Sequence, residues 1–575
     1  MDRKSWIAII LSVAGLFAWQ WYVTKYYPQP ETPPAAPSPV VPAEPSTLAP
    51  TPAPLDPATP PAMTPRAQSL EREGVEFVFN NDTGGIEQVV LGMHMGEDKE
   101  HVALNRSRTM PVGALGFAPG DVLGGFTMKA DKAAGRVVFQ KNQDDGLEVS
   151  KRFTLPDTSG GKNQYLVDLE IVFRNTGTGT LTVPDFFVGT GGAAAIHALD
   201  LPMYTRFDWG HETSMSNIDV NWFSASSIPL VGIELNGERD LYQESERDIR
   251  WAAVASQYFC TIVTPATGSP TKSVWAKRFD APELDGKQMF GIQGGLVQSG
   301  PVLAPGESET RAFRIYTGPK ELPRLRELGP TQDKVMDFGI FGFVSEFLLW
   351  AMNRIHALIG NYAASIILLT ILIKSFLWPI QNKATNEMRK MALLSPKMTE
   401  MREKFKDDPQ KMNQEVMKLY KEYGVNPLSG CFPMLIQIPI FFGFYSMLGT
   451  AIELRNSSFL WVHDLSQPDT IAHVLGFPVN VLPIVMAGTM VWQMIITPKT
   501  GDAMQQRIFY FMPVIFLAFC YNYASGLALY WTTQNIFSIV QLYLTRNKPL
   551  PTLEKKSVVA KREAVLAKKK GKKRP

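Results

Sequence analysis

The sequence predicts a multi-domain membrane protein, in which an α-helical membrane core carries an all-β sandwich domain. Three observations lead there. Short alternating runs fill about 250 residues from Leu70 to Thr317. Five apolar stretches follow Tyr362, and the segments between them divide sharply into lysine-rich and lysine-poor. The chain has 575 residues, too many for one compact domain, and its net charge of +3 hides this uneven placement. Cys260, Cys431 and Cys520 are too few and too scattered for a disulfide framework.

The N-terminus places Arg3 and Lys4 before an apolar run from Trp6 to Val23, with Trp19, Trp21, Tyr22, Tyr26 and Tyr27 clustered at its far end. Bulky residues stand where a cleavage site needs small ones, so residues 1–27 read as an uncleaved anchor with an aromatic belt. Residues 28–69 repeat proline among Ala, Thr, Ser and Glu, and form a spacer with no means of building a core. In "LVDLEIVFR", Asp168 and Glu170 alternate with Leu169, Ile171 and Phe173, the period of a half-buried strand. "GVEFVFNNDTGG" and "ETRAFRIYTGPK" repeat this with turn residues at their ends, and residues 70–335 are assigned to the sandwich. Its histidines, His94, His101, His197 and His211, show no metal-ligand spacing.

Residues 336–360 are apolar but interrupted by Glu346, Arg354 and His356, which predicts a helix lying in the membrane interface with a polar side. Residues 361–545 hold apolar stretches at Tyr362–Ile380, Cys431–Ile452, Val479–Thr497, Ile508–Asn522 and Gly526–Leu544; with the anchor, six spans are expected. The fourth, at 15 residues, spans only about 22 Å and predicts local bilayer thinning. Residues 381–430 carry ten Lys and Arg and residues 546–575 twelve, whereas the loop Glu453–Pro478 has only Arg455. Both termini are therefore placed in the cytoplasm and the β domain in the periplasm of a bacterial inner membrane. Within 381–430, Met391, Met398 and Met401 fall on one helix face; "DDP" (Asp407, Asp408, Pro409) then opens a second helix. The two faces either bury each other or offer soft contact to varied apolar segments.

Lys374 stands in the apolar run "SIILLTILIKSFLWPI" with no Asp or Glu in any of the six stretches. A charge at the bilayer centre costs about 2.5–3.5 kcal/mol, which marks a functional site. Two readings compete: the amine snorkels toward Ile380, or it faces a wet recess open to the cytoplasm. Thr370, one turn earlier, and the polar residues Gln437, Gln493, Asn522, Thr532, Thr533, Gln534 and Asn535 favour the recess; interhelical glue is the alternative for each.

"NPLSGCFPMLIQIPIF", "FMPVIF" and "SGLALYWTTQNIFSIVQ" closely resemble the signatures of the YidC/Oxa/Alb family of membrane-protein insertases, and the order of parts resembles its Gram-negative members. That resemblance implies a hydrophilic groove with a cation, normally arginine, at the position of Lys374. It implies groove or client contacts at Thr370, Gln437, Gln493, Trp531 and Asn535, a hydrophobic slide at Ile438, Pro439 and Phe441, and a mutarotase-like sandwich. It further implies insertion and folding of nascent membrane-protein clients in the lipid bilayer, alone or with the SecYEG/SecDF translocon. The ribosome and signal-recognition receptor are implied partners, with no DNA, no metal and no cofactor. Lysine retains the charge there but not the planar fork of donors. Neither G-x-x-x-x-G-K-[ST] nor G-x-G-x-x-G occurs. A transporter using Lys374, or an anchored carbohydrate-acting enzyme, are the competing classes; no internal repeat supports the first, and no paired carboxylates the second.

Overall fold

The computed structural model describes residues 68–546, apart from 97–99, 108, 158–163, 228–233, 246–247, 267–270, 407, 426–431 and 498–502. The anchor, almost all of the spacer, the basic tail, Asp407 and Cys431 lie outside the described residues.

Two nine-stranded antiparallel sheets form the β domain. One runs Ser69–Arg72, Val75–Asn80, Gly85–Met95, Val112–Gly116, Phe186–Ala193, Lys287–Gln298, Thr271–Leu284, Tyr242–Glu244, with His101–Leu104 paired onto the third strand. The other runs Met215–Asp219, Arg206–Gly210, Trp251–Ala255, Phe259–Pro265, Ser308–Pro319, Leu166–Asn175, Leu147–Thr154, Arg136–Asn142, Thr127–Asp131. Alternation decides which face is buried. Val167, Leu169, Ile171 and Phe173 point into the core. Asp168 and Glu170 point out, where they meet Arg314 at 3.0 Å and Arg152 at 2.9 Å. The sheets approach closely at Gly294, where a Cβ would lie 2.4 Å from the Phe207 ring. Buried Arg206 pairs with Asp208 and Asp337 and fastens the strand to the segment leading out of the domain.

Among the described residues eight α-helices follow: α1 (Leu322–Leu328), α2 (Gly342–Ile359), α3 (Tyr362–Lys404), α4 (Pro409–Tyr423), α5 (Phe432–Thr450), α6 (Val481–Ile496), α7 (Ala503–Cys520) and α8 (Ser525–Arg546). Helix α2 departs from the expected amphipathic pattern. Leu348, Leu349 and Met352 are buried, yet Phe343, Phe347, Trp350 and Leu358 on its other side are exposed. Its charged groups are spread among the apolar ones: Glu346 pairs with Arg326 at 2.6 Å, His356 stacks on Tyr362 at 3.7 Å, and Arg354 is exposed beside Trp350.

A second departure is α3, one 43-residue helix where a span ending at Ile380 and a separate hairpin helix were expected. Pro379 and Pro396 lie inside it without ending it. Lys, Glu, Met, Arg and Ala dominate residues 381–404, and these strong helix formers carry the helix on. Its far end packs on α4, burying Leu394 and Met398 against Leu419, Tyr420 and Val425, with Met391 and Met401 beside them. The methionine-bearing face of α3 is therefore covered by α4. Asp408 caps α4 by accepting from the Lys411 backbone N–H at 3.0 Å.

Helix α7 begins at Ala503, earlier than its apolar stretch Tyr510–Cys520, and α6 has 16 residues. Among the described residues, one helix, α3, is long and apolar enough to cross a membrane; α5, α6 and α7 carry shorter apolar stretches.

Candidate functional site: a buried amine and its amide relay

Helix α3 delivers Lys374 to the interior. It is 6% exposed, while its neighbours Leu372 and Phe376 are 52% and 80% exposed on the outer face. Its Nζ donates to Oε1 of Gln437 on α5 at 3.4 Å. The amine thus turns inward across 63 residues of sequence instead of reaching along its own helix toward Ile380. Among the described residues no carboxylate forms an ion pair with it.

Behind Gln437 lies a relay that fixes the orientation of its amide. Gln437 Nε2 donates to the Tyr530 hydroxyl and to Gln534 Oε1, each at 2.8 Å, and the Tyr530 hydroxyl donates to Gln534 Oε1 at 2.7 Å. Tyr530 and Gln534 are one turn apart on α8, so both point at the same place. With both N–H groups of Gln437 spent on α8, its carbonyl oxygen is left for a cation. Phe444 stacks on Tyr530 at 4.0 Å and holds the phenol in register.

The other expected site residues are dispersed. Trp531 packs edge-on against Phe441 at 4.8 Å and tilted against Phe516 at 4.5 Å, joining Phe441 to the relay through its neighbour Tyr530. Ile438 is 39% exposed on α5, and Pro439 lies inside the same helix. Thr370 is buried, but its hydroxyl donates to the Ile366 carbonyl of its own helix at 2.7 Å. Asn535 belongs to a different contact, donating to Thr489 Oγ1 at 3.0 Å and to the Met486 carbonyl, which ties α8 to α6. Gln493 is half-buried on the last turn of α6. Sequence reasoning grouped Gln534 with generic polar residues and passed over Tyr530, whose hydroxyl is invisible in a hydropathy pattern. The available signal was the Tyr530–Gln534 spacing of four.

Charge at this site can do one kind of chemistry. A fixed ammonium without a counter-ion in a low-dielectric surround attracts acidic or dipolar groups strongly. Among the described residues no cluster of three or more His, Cys, Asp or Glu is placed to hold a metal ion.

Comparison with known proteins gives the family. Residues 354–551 match the family model described as 60Kd inner membrane protein, and residues 121–351 match that of the YidC periplasmic domain. A membrane protein insertase YidC of Syntrophus aciditrophicus is 29% identical over 580 residues, covering 94% of this chain and 99% of that one. Another from Francisella tularensis subsp. novicida is 33% identical over 405 residues, covering 70% of this chain and 68% of its own length. A crystal structure titled as an active YidC insertase with its first transmembrane domain resolved shares 19% identity at a TM-score of 0.34, over 84% of this chain and 92% of that one. With a β-rich domain and a helical C-terminal region matched in sequence by both family models, this chain belongs to the YidC family of membrane protein insertases.

Proposed function

We propose that Lys374 is the charge that receives a client's polar or acidic tail, and that the Gln437–Tyr530–Gln534 relay holds it ready. The single observation that carries this reading is a buried ammonium answered by a neutral amide and no carboxylate among the described residues. An amide carbonyl solvates the cation without neutralising it, so attraction for an arriving anion survives. In this reading the amine lines a hydrophilic groove that also includes Thr370, Gln493 and Asn535. The client's apolar segment leaves past Ile438, Pro439, Phe441 and Trp531 into lipid. Burial of that segment drives the process at about 0.8 kcal/mol per CH₂, with no nucleotide consumed.

The membrane topology follows the charge pattern: six spans, both termini cytoplasmic and the β domain periplasmic. The paired helices α3 and α4 stand at the cytoplasmic end, and the basic tail draws ribosomal RNA phosphates, with a strong salt dependence. Cooperation with the Sec translocon and the signal-recognition receptor belongs to the same reading. The test is insertion of a small membrane protein with an acidic tail by Lys374→Arg, Lys374→Ala and Lys374→Glu. Arginine should retain insertion, alanine should lower it, and glutamate should abolish it for acidic tails while sparing neutral ones. Equal insertion by all three would refute the charge role. Photocrosslinking from positions 374, 437 and 531 during translation locates the client independently.

A further inference from the structure

The segment between α5 and α6 contains a small antiparallel hairpin, Thr470–Val474 paired with Phe477–Asn480. Its base is locked by polar contacts. The Thr470 hydroxyl donates to Asn480 Oδ1 at 2.6 Å, Asn480 Nδ2 donates to the Tyr521 carbonyl at 2.6 Å, and the Tyr521 hydroxyl donates to the Pro478 carbonyl at 2.6 Å. Its tip is bare and apolar: Val474 is 57%, Leu475 95% and Phe477 75% exposed.

The turn is Leu475–Gly476, with φ of 53° and 83°. Two-residue hairpin turns with both φ positive favour Asn or Asp before Gly, because a branched apolar side chain is strained in the left-handed region. Leucine here accepts strain and exposure together. The same combination recurs in the same loop: Phe459 and Val462 bridge a tight turn whose Leu460 has φ 52° and is 76% exposed. The two turns are coupled, since Trp461 Nε1 donates to Asp469 Oδ2, which also accepts the backbone N–H of Leu482 at the start of α6.

We infer that these two leucine tips are an anchor in the lipid leaflet on the β-domain side, entering the boundary between headgroups and acyl chains. This rests on the reading of α6 as a bilayer-crossing helix. The side is set by the same loop, whose Arg455 and Ser466 touch the β domain. Lipid is the occupant because the hairpin leads within four residues into α6, whose apolar Ile484 and Val485 are exposed. Helix α6 also falls short, at 16 residues or about 24 Å against a hydrocarbon core of about 30 Å. The apolar tips supply the depth that the helix lacks. Half-exposed Trp461, with its ring N–H held by Asp469, is the type of side chain that settles at such a boundary.

Spin labels at Leu475→Cys and Leu460→Cys test this in the full chain with native cysteines replaced by alanine, reconstituted in phosphatidylethanolamine–phosphatidylglycerol vesicles. Power saturation with oxygen against a water-soluble nickel chelate reads depth, with Ile484→Cys as the helix-face reference and Lys287→Cys as the aqueous one. Both leucine sites should show an oxygen-to-nickel accessibility ratio several-fold above that at position 287 and below that at 484. Leucine sites as wet as 287, with 484 in lipid, overturn the anchor and leave the spanning reading intact. A wet 484 sinks both. Dipolar broadening between labels at 475 would mean that a second copy covers the tip, and would also overturn the lipid assignment.

Discussion

Lys151 sits at the centre of the sandwich, fully buried, with its Nζ donating to the Thr83 carbonyl at 2.7 Å and lying 4.4 Å above the Phe126 ring. Burial alone pulls its pKa down to about 7 from 10.5. Between these values the unfolded chain binds the extra proton, so stability contributed at this position rises with pH from about 7 to 10.5 and is lowest below 7. The expected slope is about 1.4 kcal/mol per pH unit, and it should vanish in Lys151→Met. Denaturant titrations of both proteins across this range measure it. Lys374 offers the contrasting lesson in legibility. Its presence in an apolar run was plain from the sequence, as was the polarity of Gln437. Their meeting was not, because nothing local links residues 63 apart on different helices. Tyr530 was missed because a tyrosine in such a run reads as apolar until its hydroxyl finds a partner.

Elements behave likewise. Alternation correctly gave the Leu166–Asn175 strand and the side each residue faces, because period two has no competing solution when one face is buried. The end of α3 was misplaced because a change from apolar to charged residues marks an environment, not a helix terminus. Packing between α2 and α5 depends on Gly443, whose carbonyl accepts from the Ser345 hydroxyl at 3.1 Å. A Cβ there would stand 2.7 Å from Val344 Cγ1 and 3.2 Å from Leu348 Cδ1. Gly443→Ala should therefore push the helices apart and cost about 1–3 kcal/mol, and Gly443→Val more. Thermal unfolding in detergent checks the order.

At the scale of the whole molecule, the β domain and the helices are joined by a buried polar seam. Arg455 donates to the Met95 carbonyl at 3.0 Å and lies 2.9 Å from His197 Nε2, with the rings of Tyr258 and Phe259 beneath it. Gln257 reaches the Gly449 carbonyl at 2.8 Å, and Tyr258 the Ser466 carbonyl at 3.3 Å. Burial, then the charges of Arg455 and Arg324, lower the His94 pKa to about 4. Since the unfolded imidazole titrates near 6.5, stability should fall as pH drops from 6.5 toward 4. Arg455→Ala should lower the melting temperature at neutral pH and shrink that acid loss, because His94 then recovers part of its normal affinity for a proton. Calorimetry at pH 7 and pH 4.5 separates the two effects.

The unbroken α3 also works as a ruler. Lys374 and Leu394 ride on one helix, 20 residues apart, and so stand about 30 Å from each other measured along its axis. In the proposed reading, a client held at the amine and reaching the level of Leu394 must be at least about nine residues long if extended, or about twenty if helical. In that reading a shorter client cannot reach both levels of the helix at once.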